Sequence, residues 1–281
     1  MPHDPEGEPP VEIRALRTAD AMREVETVQR EVWGFDDVEV VPLHVLLTAA
    51  RHGGLLLAAY RGERMIAFTF GYRGLDDDGT PLLCSHLLAV RPEERGRGLG
   101  AALKWAQRQA ALEAGLNRIV WTFDPLEHVN ARLNLTHLGG VSDRYLVDLY
   151  GQLRDELNAG LPTDRIEVVW HLRAPRVVAR SAGSGAAEDD GTLGPLLDPA
   201  GPGGAVAAPG SAARVRVRAL KHAQRLRRDD PDAALAWRMH LRSTLRSLFA
   251  AGYLLVGAGR GDAGAEYRLA RASDVPLGAA R

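Results

Sequence analysis

Three glycines at alternate positions, Gly96, Gly98 and Gly100, follow an apolar run in VRPEERGRGLGAAL (90–103). Glycine lets a backbone approach an anion closely, and a helix opening near Leu99 offers unpaired N–H groups and the positive end of its dipole. Arg95 and Arg97 add positive charge. The chemistry on offer is phosphate binding; the alternative is a tight strand-to-helix turn that only needs glycine flexibility. Spacing excludes two nucleotide loops. A Walker loop needs G-x-x-x-x-G-K and then Ser or Thr, and no lysine falls in that place. The dinucleotide fingerprint needs G-x-G-x-x-G early in a βαβ unit, whereas this run reads G-x-G-x-G after several strands.

Other residues of chemical interest lie on either side. His86 sits four residues before Val90 in LLCSHLLAV (82–90), and an ordinary imidazole pKa of about 6.5 suits proton removal near neutrality. Period-two alternation places it on one face with Cys84, Leu88 and Val90; a core histidine bonded to backbone is the alternative. Asp124 and Glu127 are carboxylates at a strand end, but with Pro125 they also make a capping-box-like helix start. On the helix read over 125–138, Asn130, Asn134 and His137 fall within the apolar arc, so each needs a partner or ligand. Tyr145 and Tyr150 are read on one strand with opposite parity, so at most one faces any given cleft. In DAALAWRMHLRSTLRSLFAAG, Arg238, Arg242 and Arg246 recur every four residues inside the apolar arc. Buried arginine needs an anion, either an interdomain carboxylate or that of a substrate.

The elements that must position these residues are dense from Val11 to Leu172. Strands are expected at 11–16, 55–60, 65–72, 82–90, 118–123, 144–151 and 165–172, and helices at 18–33, 42–51, 99–114 and 125–138. The pattern is an α/β or α+β plan around one sheet. After Arg180 the tract SAGSGAAEDDGTLGPLLDPAGPGGAVAAPGSAA has few large apolar residues and reads as a flexible linker. A strand at 214–220, a helix at 231–251 and strands at 253–259 and 265–271 form a small final unit. The expected division is 1–10 disordered, 11–175 a first domain, 181–212 a linker and 213–281 a β-α-β-β unit. The last is marginal alone and should dock on the first domain or a second subunit, which leaves a homodimer open.

Composition is that of a globular chain, 46% hydrophobic and 25% charged, with a net charge of -1 that recruits neither nucleic acid nor an anionic membrane. The basic run RVRVRALKHAQRLRR lacks the interleaved aromatics of an RNA-binding segment. Cys84 is the only cysteine, which excludes an internal disulfide and suits a reducing cytoplasm; a small buried apolar role fits it better than nucleophilic chemistry. The acidic, proline-rich MPHDPEGEPP has no signal-peptide character, and no apolar run approaches membrane-spanning length. A cytoplasmic location is expected.

Strand, then R-x-x-G-x-G at 95–100, then helix resembles the acyl-CoA pyrophosphate loop of the GNAT N-acyltransferase superfamily. The element order over 11–172 is similar to that fold, a mixed, largely antiparallel sheet flanked by helices. SHLLAV, WTFDPLEHVNARLNLTHLGG and PTDRIEVVWHL resemble a bacterial subgroup associated with acyl transfer to amino acids, including N-succinylation. The resemblance implies acetyl-CoA or succinyl-CoA as co-substrate, no metal, a small-molecule amine as acceptor and direct transfer in a ternary complex. It implies cofactor contacts from Leu88, Ala89 and Val90 and from Arg95, Gly96, Arg97, Gly98, Leu99, Gly100 and Ala101, with Asn130 at the CoA. His86 becomes the candidate general base and Tyr150 a candidate acid, because Leu135 stands where the family often carries a tyrosine. Asn134, Arg238 and Arg242 become candidate substrate contacts. Protein or peptide acylation and a non-catalytic acyl-CoA sensor are the competing readings.

Overall fold

A computed structural model describes residues 7–35, 37–151, 160–183 and 193–278. The chain divides into two compact units, Met1–Trp121 and Thr122–Arg281. The division falls inside the segment expected as one domain, not in the Gly/Pro-rich tract after Arg180.

In the first unit, β1 (Val11–Ala15), β2 (Leu55–Arg61), β3 (Arg64–Leu75) and β4 (Pro81–Val90) form consecutive antiparallel pairs. β5 (Arg118–Phe123) then adds in parallel to β4. Helices α1 (Ala19–Trp33) and α2 (Leu43–Arg51) cover one face. Thr18 opens α1 by accepting the Ala21 N–H at 3.3 Å. Alternation along β2 sends Leu56 and Ala58 to a core with Met22, Val25, Leu46, Phe68 and Phe70. Leu57 and Ala59 point the other way, against Leu99 and Leu103 of α3 (Leu99–Glu113). The N-terminal residues read as disordered are described only from Gly7; there Glu8 pairs with Arg61 at 3.1 Å and Arg97 at 2.8 Å.

The second unit begins with a short α4 (His128–Ala131), which runs into a π-helical turn at Arg132–His137. β6 (Val141–Leu146) and β7 (Arg165–His171) follow, then α5 (Pro175–Ser181). The chain continues through β8 (Arg214–Arg218), α6 (Ala223–Asp229), α7 (Pro231–Ala250), β9 (Tyr253–Gly261) and β10 (Gly264–Arg271). The strands lie in the order β7-β6-β9-β10-β8, every pair antiparallel. The C-terminal strands therefore dock on β6, through Ser142↔Leu255. Thr136 reinforces the contact: its hydroxyl donates to the Ala258 carbonyl at 2.7 Å and accepts the Ala258 N–H at 2.9 Å.

Part of the tract read as a flexible linker is packed in this unit. Leu197 and Asp198 are buried, Leu196 bridges to Arg216, and Asp198 accepts the Arg218 N–H at 2.7 Å. His240 Nε2 lies 2.7 Å from the same carboxylate. Composition alone hides such order, because it comes from a few tertiary partners. Residues 184–192 of the tract lie outside the described residues. Among the described residues, no helix is long and apolar enough to cross a membrane.

Candidate functional site

The β4–β5 ladder is short. It pairs Leu83↔Ile119 and Cys84↔Val120 and does not continue to Ser85 and Trp121, so the two parallel strands part there. β4 also carries a bulge at the same level. Opposite β3, Phe70↔Leu87 and Gly71↔Ser85 leave His86 as the extra residue. The bulge corrects the facing expected for His86. Its ring lies edge-on to Phe70, 6.1 Å between centroids, and 5.8 Å from the Tyr72 ring. Phe70 belongs to the core on the α1–α2 face, whereas Leu88 and Val90 pack on the α3 face. Desolvation lowers the His86 pKa below the ordinary imidazole value.

Beyond Val90, a 3-10 turn (Pro92–Glu94) leads to the glycines. Gly96 and Gly98 adopt left-handed φ of 81° and 80°, which side chains other than glycine rarely take. Gly98 is the N-cap of the 15-residue α3, and no side chain caps that end. A Cβ at either glycine would meet nothing within 4 Å, so the loop backbone is open. The arginines are partly committed. Arg97 bonds Glu8 at 2.8 Å and Glu94 at 3.3 Å, and Arg95 Nε donates to the Val90 carbonyl at 3.3 Å. Leu99, expected as a loop contact, is buried in the α3-side core, and Ala89 is buried on the α1–α2 side.

Beneath the parting strands lies a group that the sequence reading passed over. Lys104 is only 4% exposed, and its Nζ donates to Ser85 Oγ at 2.7 Å and to Gln107 Oε1 at 3.3 Å. It lies 3.7 Å from the centroid of the Trp121 ring. Ser85 Oγ donates to Gln107 Oε1 at 3.0 Å, Gln107 Nε2 to Thr69 Oγ1 at 3.1 Å, and Thr69 Oγ1 to the Leu87 carbonyl at 3.1 Å. These partners are all neutral, and burial pushes the Lys104 pKa down to about 7. A signal was available: Lys104 and Lys221 are the only lysines in an arginine-rich chain.

In the second unit several expected site residues have structural partners. Arg238 makes a bidentate pair with Asp124 at 2.7 and 2.8 Å, and Arg227 reaches the same carboxylate at 2.5 Å. Arg242 grips Asp164 at 2.8 and 2.7 Å, and Tyr145 donates to Asp164 at 2.8 Å. Arg238 and Arg242, expected as contacts to a substrate carboxylate, are thus matched by internal aspartates. Burial opposes ionisation of Asp124, yet Arg238 and Arg227 outweigh it and hold the pKa below the usual carboxylate range. Burial, and then Asp164, raise the Tyr145 pKa, which suits a structural phenol.

The helix expected over 125–138 is corrected as well. Asp124 accepts the Leu126 N–H at 2.8 Å in a turn, and α4 starts only at His128. The π turn then changes the period, with the Leu138 N–H bonding the Leu133 carbonyl five residues back. Asn134 is consequently buried, whereas Asn130 and His137 are exposed instead of lying in an apolar arc. β6 ends at Leu146, so Tyr150 lies beyond the strand; it is half exposed, and its hydroxyl is 3.1 Å from Thr122 Oγ1.

A glycine-bearing turn into an uncapped helix, beside parted parallel strands, is a specific arrangement, and sequence comparison agrees with it. Residues 19–135 match the acetyltransferase (GNAT) family. The matched segment contains His86, the glycine loop and Lys104, and β6 onward lies outside it. Solved structures that resemble the chain include a proposed GNAT acetyltransferase from Desulfovibrio desulfuricans, 16% identical, with a TM-score of 0.47 over 58% of this chain and 99% of that one. A GNAT acetyltransferase from Streptococcus pneumoniae is 14% identical, with a TM-score of 0.46 over 57% and 98%. The ribosomal-protein-S18-alanine N-acetyltransferase from Escherichia coli is 16% identical, with a TM-score of 0.45 over 58% and 94%. No curated protein sequence matches the chain.

Proposed function

We propose that this protein is an acyl-CoA-dependent N-acyltransferase that moves an acetyl or succinyl group to the amine of a small molecule, an amino acid in the first instance. The observation that carries this reading is the loop itself. Two left-handed glycines, with open space where side chains would be, lead into an uncapped helix N-terminus. In this reading the N–H groups from Gly96 to Ala101 hold the CoA pyrophosphate, since they are donors without side-chain partners at a positive dipole end. The edge of β4 from Leu88 to Val90, which β5 leaves unpaired, receives the amides of the cofactor arm. Asn130 is exposed and free to serve as a further contact.

Transfer is direct. The neutral amine attacks the thioester carbonyl carbon, the C–S bond breaks, and CoA leaves as the thiolate. His86 is the base that accepts the ammonium proton, since desolvation favours its neutral form. Tyr150, half exposed with its hydroxyl 3.1 Å from Thr122 Oγ1, is the proposed acid that protonates the thiolate. The test is thiol release from acetyl-CoA and succinyl-CoA against a panel of amino acids, with the product identified by mass. Amine-dependent thiol release with a matching N-acyl product is expected. Tight CoA binding without release on any amine would overturn catalysis in favour of a sensor.

A further inference from the structure

Lys104 is a buried cationic side chain among neutral partners: a hydroxyl, an amide oxygen and an indole face. A charge taken out of water is costly unless an opposite charge joins it. Arg238 has that match in Asp124, and Arg176 has at least two backbone carbonyls, those of Leu135 and Val256. Arginine would hold its charge at position 104 whatever its surroundings, whereas lysine gains and loses a proton readily.

Location says which molecule supplies the missing anion. Ser85 and Trp121 are the first residues beyond the last ladder pair, Cys84↔Val120, and Lys104 Nζ touches both. The ammonium therefore closes the fork between β4 and β5 from the α3 side. His86 points to the opposite, α1–α2 face. A base on one face and a cation on the other separate the two substrates: the amine is received beside His86, and the acyl chain runs into the fork towards Lys104.

Resting on the acyltransferase reading above, we propose that Lys104 selects the donor, and that the preferred donor is a CoA thioester whose acyl chain ends in a carboxylate, as in a dicarboxylic acid monothioester. The distal carboxylate pairs with the ammonium at the closed end of the fork. Ser85 and Gln107 hold the ammonium in place. Because Lys104 among neutral partners releases its proton near neutrality, pairing with a carboxylate draws one back from solvent.

The experiment compares CoA, acetyl-CoA and succinyl-CoA on the full chain. Calorimetric titrations at pH 8, in two buffers of different ionisation enthalpy, read proton uptake directly. Uptake is expected with succinyl-CoA and not with acetyl-CoA. The ratio of kcat/KM for succinyl-CoA to that for acetyl-CoA is then measured in the wild type and in Lys104→Met. The ratio should favour succinyl-CoA in the wild type and fall by about tenfold or more in the variant, as expected when one partner of a desolvated charge pair is removed. An unchanged ratio, or no difference in proton uptake, overturns the proposal while leaving the acyltransferase reading intact. Failure of all three ligands to bind overturns that reading itself. If Lys104→Met does not fold, the wild-type proton uptake decides alone.

Discussion

His86 owes its setting to one inserted residue. The bulge turns it beside the rings of Phe70 and Tyr72, where the side chain stays exposed yet is partly desolvated, which lowers its pKa. If it is the base, the acid limb of kcat/KM against pH lies below the ordinary imidazole value of about 6.5. Replacing it by Asn should cost about 10²–10⁴ in kcat/KM and abolish that limb. An Asn variant with the wild-type profile would remove His86 from the chemistry. Lys104 gives a second prediction, read through stability. Its folded pKa of about 7 lies below the unfolded value of about 10.5, so between these pH values the unfolded chain binds more protons. Stability attributable to this position is therefore greatest above about pH 10.5, falls as pH drops, and levels off below about 7. Lys104→Met should be the more stable protein at pH 7, by an amount on the order of a few kcal/mol, and lose that advantage by about pH 10. Urea denaturation of both proteins at pH 7, 8.5 and 10 checks the trend.

At the scale of elements, the loop before α3 depends on backbone shape. Gly98 has φ of 80° and open space around a would-be Cβ, so Gly98→Ala introduces backbone strain without a clash. A left-handed non-glycine residue costs about 1–2 kcal/mol, which the loop relieves by turning its N–H groups away. CoA affinity, measured by titration, should fall by about tenfold; unchanged affinity would place the pyrophosphate elsewhere. The loop was legible in the sequence because glycine spacing and a following helix are local signals. The hairpin of β2 and β3 was legible for the same reason, two apolar runs around RGER. The facing of His86 was not: alternation presumes a regular ladder, and the bulge is a property of the β3–β4 pairing. The helix after β5 failed similarly. Its capping signals, Asp124, Pro125 and Glu127, were spent on a turn, with Asp124 turned towards Arg238 and Glu127 Oε1 accepting from Gln224 at 2.6 Å. Partners 97 to 114 residues distant leave no trace in a local window.

At the scale of the whole molecule, those distant partners bear on what the C-terminal arginines do. In the second unit, α7 supplies Arg238 to Asp124 and Arg242 to Asp164, while α6 adds Arg227 to Asp124. These pairs tie the C-terminal segment to residues 122–183, so the segment folds as part of the unit, not as a tethered appendage. Asp124→Asn tests this. It would leave Arg238 and Arg227, with Arg165 4.0 Å from the lost charge, facing one another without their anion. Removing one partner of a buried pair costs about 3–5 kcal/mol, far more than a surface pair is worth. Because the Asp124 pKa is lower folded than unfolded, its stabilisation is fully present above the ordinary carboxylate value of about 3.9 and is lost as pH falls through the depressed folded value. Wild type and variant should therefore differ most near neutrality and converge in acid. Burial also shields the pairs from salt, so the difference should persist in high ionic strength. Urea denaturation at pH 7 and pH 3, with and without salt, separates the outcomes. A variant within about 0.5 kcal/mol of wild type at pH 7 would mean that the network is incidental, and would return Arg238 to the candidates for binding a substrate carboxylate.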